Sequence, residues 1–384
     1  MTEPEQAAAA WYAELRRGSS ITWSEHLATE LADRVGDGPP VRVDAAHLEL
    51  VRRLAARVGG RQDFAELADR IIATPAFGRG RVEIPLLVPG SAPATGSPAM
   101  LPERVPAGEL LRVAVPVLAT LLGDDRVDPQ ALRRGRRRRA PRVVVHGNPG
   151  IAQPVRAALA AAGVREGGRG ATHIVLVPPL EAAVFSLWTA RVQGGVAVRW
   201  RRLWERLPLS ELPFGIDPAG LIDDLAGRVK GDRIHLVVAD SPAAATARAG
   251  ELLEVDLTVP TPFTWAEVDL ARRLNQFNAA RLGPAQRAER AETLFDLLRV
   301  QGHGASGTPA APAELLSWAA SAATGVRDRL AERVQAGGYA VHGDLEEVGS
   351  LVGAAVGAGL RTGPAATLYV AVEAIARILQ DGHR

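Results

Sequence analysis

Cysteine is absent from this chain of 384 residues. That excludes a disulfide framework and any thiolate metal or nucleophile site, and it fits a reducing compartment, so the cytoplasm is the expected location. Lysine is almost absent, Lys230 being the only one. Aromatic residues make up 4% of the chain, so a core must be built mainly from Ala, Val and Leu, for which a hydrophobic content of 47% is ample. No apolar run approaches the length needed to cross a membrane. The opening Met1-Thr2-Glu3-Pro4-Glu5-Gln6 is acidic rather than basic, so no signal peptide is expected.

What is present is Arg, Ala, Gly and Pro in quantity, a bias that resembles that of a GC-rich bacterial genome. The formal net charge is +2, yet the pI is about 9.5, because the small excess of positive charge rests on Arg, which titrates only at very high pH. The length suits two domains better than one. Residues 1–125 read as a helical domain, 126–141 as an Arg-rich linker, and 142–384 as an α/β domain with a helical C-terminal part.

In the first domain, Trp11 and Leu15 share a face of a helix over Ala7–Arg17. Thr22-Trp23-Ser24-Glu25 is a capping box, and Asp44 caps a helix in which Leu48, Leu50, Val51 and Leu54 line one side. Asp63 opens a fourth helix, Val82–Val88 reads as a short extended segment, Pro89–Pro106 as loop, and Pro106–Leu122 is a further helix containing Pro116. No catalytic grouping stands out, and the plain reading is a packing or interaction domain. The run Arg133-Arg134-Gly135-Arg136-Arg137-Arg138-Arg139 is read first as a solvated linker. Its sharper reading is a contact for phosphate-rich partners, nucleic acid among them, although no aromatic residue is interleaved for base stacking.

From Arg142 the chain alternates strand and helix. Near-continuous apolar strands at Arg142–His146, Thr172–Val177 and Arg233–Ala239, separated by helices, indicate a parallel sheet covered on both faces. Thr264-Trp265-Ala266-Glu267 is a second capping box, and a long helix ends at Gly337-Gly338. The stretch Arg142 to Gly150 ends a strand in a Gly147-Asn148-Pro149-Gly150 turn, beyond which Pro154 is expected to open a helix. Strand, glycine turn and helix form the layout that seats a phosphate on a helix N-terminus.

Three stretches of this half together resemble the sulfotransferase family, in the form common in actinobacteria. They are Val145–Ala157, Thr172–Gly195 with Ser186-Leu187-Trp188 and Arg191-Val192, and Trp318 through Gly338-Tyr339-Ala340-Val341-His342-Gly343-Asp344-Leu345. The resemblance covers about residues 142–348. It implies a P-loop-like α/β fold, phosphoadenosine phosphosulfate as donor, and ligand contacts from Gly147, Asn148, Pro149, Gly150, Gln153, Arg156 and Ser186. The departures bear on chemistry. Gly150 stands where the family has its loop Lys, Gln153 and Pro154 stand for its Thr pair, and Pro178 for its phosphate-binding Arg. Only Val164–Ala171 joins helix to strand where the family has a long substrate-binding segment. A Lys that neutralises the bridging oxygen as the sulfuryl group leaves is central to that transfer. The expectation is therefore a sulfotransferase-like protein that has lost sulfuryl transfer and acts as a binding or scaffold protein, toward a protein partner or a small anionic ligand. The alternatives are a transferase acting on a small molecule or glycan with another phosphate-containing donor, and a nucleic-acid-binding protein.

Among residues still able to do chemistry, His146 lies at the carboxyl edge of its strand, as a catalytic candidate or as a strand-ending hydrogen-bonding group. His173 and His235 lie early in their strands and read as structural, and His342 with Asp344 lacks a third metal ligand nearby. A gathering of Ser186, His146 and Asp240 has no nucleophile-elbow pattern behind it. Arg199, Trp200, Arg201, Arg202, Trp204 and Arg206 form either an amphipathic helix with two core Trp or a basic, aromatic-edged surface.

Overall fold

The structure is a computed structural model that describes residues 3–30, 41–78, 84–87, 99–124, 142–207, 213, 216–258, 262–299, 312, 315–349 and 363–381. It divides into two compact units. The first comprises Met1–Arg126, Arg273–Gly283 and Thr362–Arg384, the second Val127–Arg272 and Pro284–Arg361. The Arg133–Arg139 run lies outside the described residues.

In the first unit, α1 (Glu3–Arg16) and α2 (Trp23–Glu30) bury Trp11, Leu15 and Trp23 completely. The capping box forms as its spacing requires. The Thr22 amide donates to Glu25 Oε2 at 2.7 Å, and the Glu25 amide donates to Thr22 Oγ1 at 3.2 Å. Asp44 caps α3 (Ala45–Val58) by accepting the Ala46 amide at 2.9 Å, and Leu48, Leu50, Val51 and Leu54 are fully buried. Helices α4 (Phe64–Ala73) and α5 (Ala107–Asp124) follow, with Pro116 inside α5.

Two expectations about this unit need correction. It is not all-helical, because β1 (Val41–Asp44) pairs antiparallel with β2 (Pro85–Leu86). The closing helix, expected to belong with the α/β domain, instead packs along α5. Both helices carry wide apolar faces: Leu118 and Val117 on α5, and Leu368, Ala371 and Ile375 on the closing helix, are essentially buried. Such a face requires a partner but does not specify which one.

The second unit is α/β. Its strands are β3 (Arg142–His146), β4 (Arg165–Glu166), β5 (Thr172–Val177), β6 (Ile234–Val238) and β7 (Ala340–His342), all parallel in the order β4-β3-β5-β6-β7. The two edge strands are too short to show a hydrophobic run in the sequence. The helices are α6 (Pro149–Ala161), α7 (Leu180–Gln193), α8 (Trp200–Trp204), α9 (Pro218–Ala226), α10 (Pro242–Leu253), α11 (Trp265–Asn278, whose residues from Arg273 fall in the first unit), α12 (Pro284–Arg299), α13 (Leu316–Gly337) and α14 (Glu346–Gly349). The closing helix of the first unit is α15 (Pro364–Asp381).

Strand alternation sorts the core into two layers. Val143, Val145, Ile174, Leu176 and Val237 pack with Ile151, Val155 and Leu159 of α6 and Ala245 and Ala249 of α10. On the other face Val175, Val177, Leu236 and Val238 pack with Leu221, Ile222 and Leu225 of α9 and Val326 and Leu330 of α13. Among the described residues no helix is long and apolar enough to cross a membrane.

Candidate functional site

Sheet order reverses between β3 and β5, since the chain passes from β3 to β4 on one side and returns to β5 on the other. In doubly wound sheets the crevice outside the carboxyl ends of such strands is the usual ligand position. Its two banks here are the turn after β3 and the start of α7 after β5.

At Gly147 the backbone takes φ 132°, which favours glycine. A Cβ at that position would lie 3.2 Å from both the Cβ and the carbonyl oxygen of Leu176. Asn148 then caps α6. Its Oδ1 accepts the Gly150 amide at 3.1 Å and the Ser186 hydroxyl at 3.0 Å, while its Nδ2 donates to the Ala183 carbonyl at 2.9 Å. Both side chains are buried.

The helix therefore begins at Pro149 and not at Pro154, which lies inside α6. The polar side chain that nucleates it is Asn148, and Pro149 supplies the favourable first position. The amides at the helix start are all accounted for. Pro149 has none, Gly150 donates to Asn148 Oδ1, and Ile151 and Ala152 donate to the Asn148 carbonyl at 3.0 and 2.8 Å. Space is closed as well. A Cβ on Gly150 would meet Ser186 Oγ at 2.4 Å and the Ser186 carbonyl oxygen at 2.5 Å. Helix α7 packs against the first turn of α6, and the amides of that turn already have partners within the chain, so they do not fit a phosphate there.

The other expected ligand residues diverge. Gln153 is exposed on α6. Arg156 turns back to donate to the Val145 carbonyl, with its Nε 3.7 Å from Glu166 Oε1. Ser186 joins Asn148 rather than His146, and Ser241 next to exposed Asp240 caps α10 by accepting the Ala244 amide at 3.2 Å. The supposed Ser–His–Asp gathering is not among the observed contacts.

His146 instead meets His173, Nε2 to Nδ1 at 2.9 Å, with the rings 11° from parallel. Register explains the meeting, which spacing along the chain does not reveal. Val144 is the partner of His173, so His146 sits diagonally across on the same face. A second pair joins His235 Nδ1 and His342 Nε2 at 3.1 Å. Because Ile174 and not His173 is the partner of His235, this pair lies on the opposite face. Each bond requires one ring to donate and the other to accept. Burial, then the cationic neighbourhood of His173, Arg156 and Arg228, pushes His146 down to about 4. Burial also lowers His173, aided by Arg233, and His235, aided by His342. Among the described residues no group of three His, Asp or Glu is placed to hold a metal.

Helix α8 shows a different arrangement. Trp188, Trp200, Trp204, Trp265 and Trp318, with Phe185, form a continuous aromatic cluster with centroid separations of 5.5–6.1 Å. Trp200 and Trp204 meet edge to face, as their spacing implies. On the outer side, a groove of about 570 Å³ is lined by Val196–Val198 together with Arg199, Arg201, Arg202, Glu205 and Arg206. Glu205 accepts from Arg201 Nε at 3.0 Å and from an Arg202 terminal nitrogen at 2.9 Å. Trp204 is buried and Trp200 half-buried within the aromatic cluster, while the exposed Arg side chains of this stretch lie on the outer side.

No protein-family model matches the chain, and no curated protein or solved structure matches it either.

Proposed function

We propose that the second unit is a sulfotransferase-type fold that has given up sulfuryl transfer and serves as a binding or scaffold module. The observation that carries this reading is the closed start of α6. Its amides are all bonded within the chain, and Gly150 lies against the Ser186 backbone. A donor phosphate seated on this helix needs those amides free. The substitutions Gly150 for Lys and Pro178 for Arg point the same way, since a seat without cations does not stabilise the charge that develops on a departing phosphate oxygen. His146 fits a structural role, being held by His173 and shifted toward the neutral form.

Calorimetric titration with adenosine bisphosphate tests the proposal, using the native chain and a variant in which Arg199 and Arg206 are both Ser. Any binding is expected to vanish in the variant, because the turn offers no site. Tight binding retained by the variant would place the nucleotide at the β3–α6 turn and sink the reading.

A further inference from the structure

We propose that the groove beside α8 is a binding site for a small oligophosphate, a ligand of nucleotide size carrying two or more adjacent phosphates. This rests on features separate from the β3–α6 turn.

The first is charge left without compensation. Some exposed Arg side chains elsewhere lie beside carboxylates, as Arg16 does with Asp69, Arg299 with Asp296 and Arg333 with Asp223. Among the described residues the groove is lined by four Arg side chains and by Glu205, which pairs with Arg201 and Arg202. Among the described residues Arg199 and Arg206 have no carboxylate partner, and both are exposed. An oligophosphate concentrates several charges over a few ångströms, and each guanidinium fork can bond two of its oxygens.

The second feature is preorganisation. The backbone that forms the groove wall is tied at both ends. The Trp188 indole donates to the Val198 carbonyl at 2.7 Å, and Arg287 Nε donates to the Gly195 carbonyl at 3.1 Å. Trp200 is wedged between Phe185, Trp188 and Trp204, which holds α8 in place. Glu205 then positions the Arg201 and Arg202 side chains. Ordering long side chains before the ligand arrives removes much of the entropic cost of binding.

The third is shape. The groove volume of about 570 Å³ falls in the range of small-molecule sites. Among the described residues its lining presents no aromatic face, which a single-stranded nucleic acid would need for stacking. The Val196–Val198 wall offers apolar contact to an organic group attached to the phosphates.

Titration calorimetry on the full chain at low ionic strength, with inorganic tripolyphosphate, ATP and a single-stranded DNA oligonucleotide, tests the proposal. Tripolyphosphate and ATP are expected to bind with Kd on the order of 10–100 µM. Replacement of both Arg199 and Arg206 by Ser, or by Gln, should weaken them by about tenfold or more while leaving the thermal midpoint unchanged. ATP binding tighter than tripolyphosphate assigns a share to the apolar wall, and equal binding assigns the site to phosphate alone. The proposal is overturned if tripolyphosphate gives no heat, if DNA binds far more tightly than either, or if the loss follows Ser replacement of Arg133–Arg139 rather than of the groove residues. Retention of adenosine bisphosphate by the groove variant would count against the closed turn and not against this site.

Discussion

The β3–α6 turn and the α8 groove lie in the same unit and offer an anion different donors. The turn has the outline of a phosphate seat, but the amides of Gly150, Ile151 and Ala152 and the Asn148 side chain are already bonded within α6 and α7. The groove has no motif outline, yet among the described residues it exposes Arg199 and Arg206 without a carboxylate partner beside Arg201 and Arg202. Backbone geometry alone does not make an anion site. Donors also have to be left without internal partners, and the surrounding structure has to leave room for the ligand.

The sharpest way to break this contrast is to enlarge Gly150. Gly150→Ala places a Cβ against the Ser186 backbone, where no flexible side chain can yield, and should destabilise the unit by about 2–3 kcal/mol in urea unfolding. A neutral result would mean that the turn is open after all. Next in size is Asn148→Ala, which removes the helix cap and leaves the Ala183 carbonyl and Ser186 hydroxyl without their partner. A loss of about 2 kcal/mol is expected from the same measurement.

Acid sharpens the contrast further. His146 is pushed down to about 4 from 6.5, so between those values the unfolded chain binds a proton that the folded one refuses. Its contribution to stability is complete above pH 6.5, falls as the pH drops toward 4, and then levels off. His173 and His235 act with the same sign. Replacing His146 by Gln should flatten the stability–pH curve in that window, and an unchanged slope would show that the His146–His173 contact does not persist in solution. The smallest effect on stability belongs to the groove. Ser at Arg199 and Arg206 should alter unfolding by less than about 0.5 kcal/mol, because exposed charges contribute little to folding. A large destabilisation would mean that these Arg side chains are structural and that the two regions differ less than their geometry implies.

Local rules were legible where neighbours along the chain supply both partners. The boxes at Thr22–Glu25 and Thr264–Glu267 close as their spacing demands, the latter with the Thr264 amide 2.6 Å from Glu267 Oε2. Asp44 caps α3, and Gly338 ends α13 with φ 62°. The candidate site was legible only as a list of residues. Gly147 and Asn148 do shape the turn, but Gln153 points to solvent and Arg156 turns back to the strand. The start of α6 was misplaced because two prolines, Pro149 and Pro154, compete for the first helical position, and Asn148 decides between them by capping.

By itself the sequence determined the elements that follow from periodicity and capping: the helices, the three longer apolar strands, and a parallel sheet covered on both faces. It also determined that the turn lacks cations, because the loop contains no Lys or Arg between Gly147 and Pro154. Tertiary structure alone decided what meets across the fold. It brought His146 to His173 through strand register, set Ser186 on Gly150 by packing α7 over α6, laid α15 on α5, and turned the Trp-rich side of α8 inward so that its Arg side chains line a groove. The physical reason is that caps and periods depend on residues within a turn or two of one another. Whether a donor is free or already bonded depends on residues far apart in the chain.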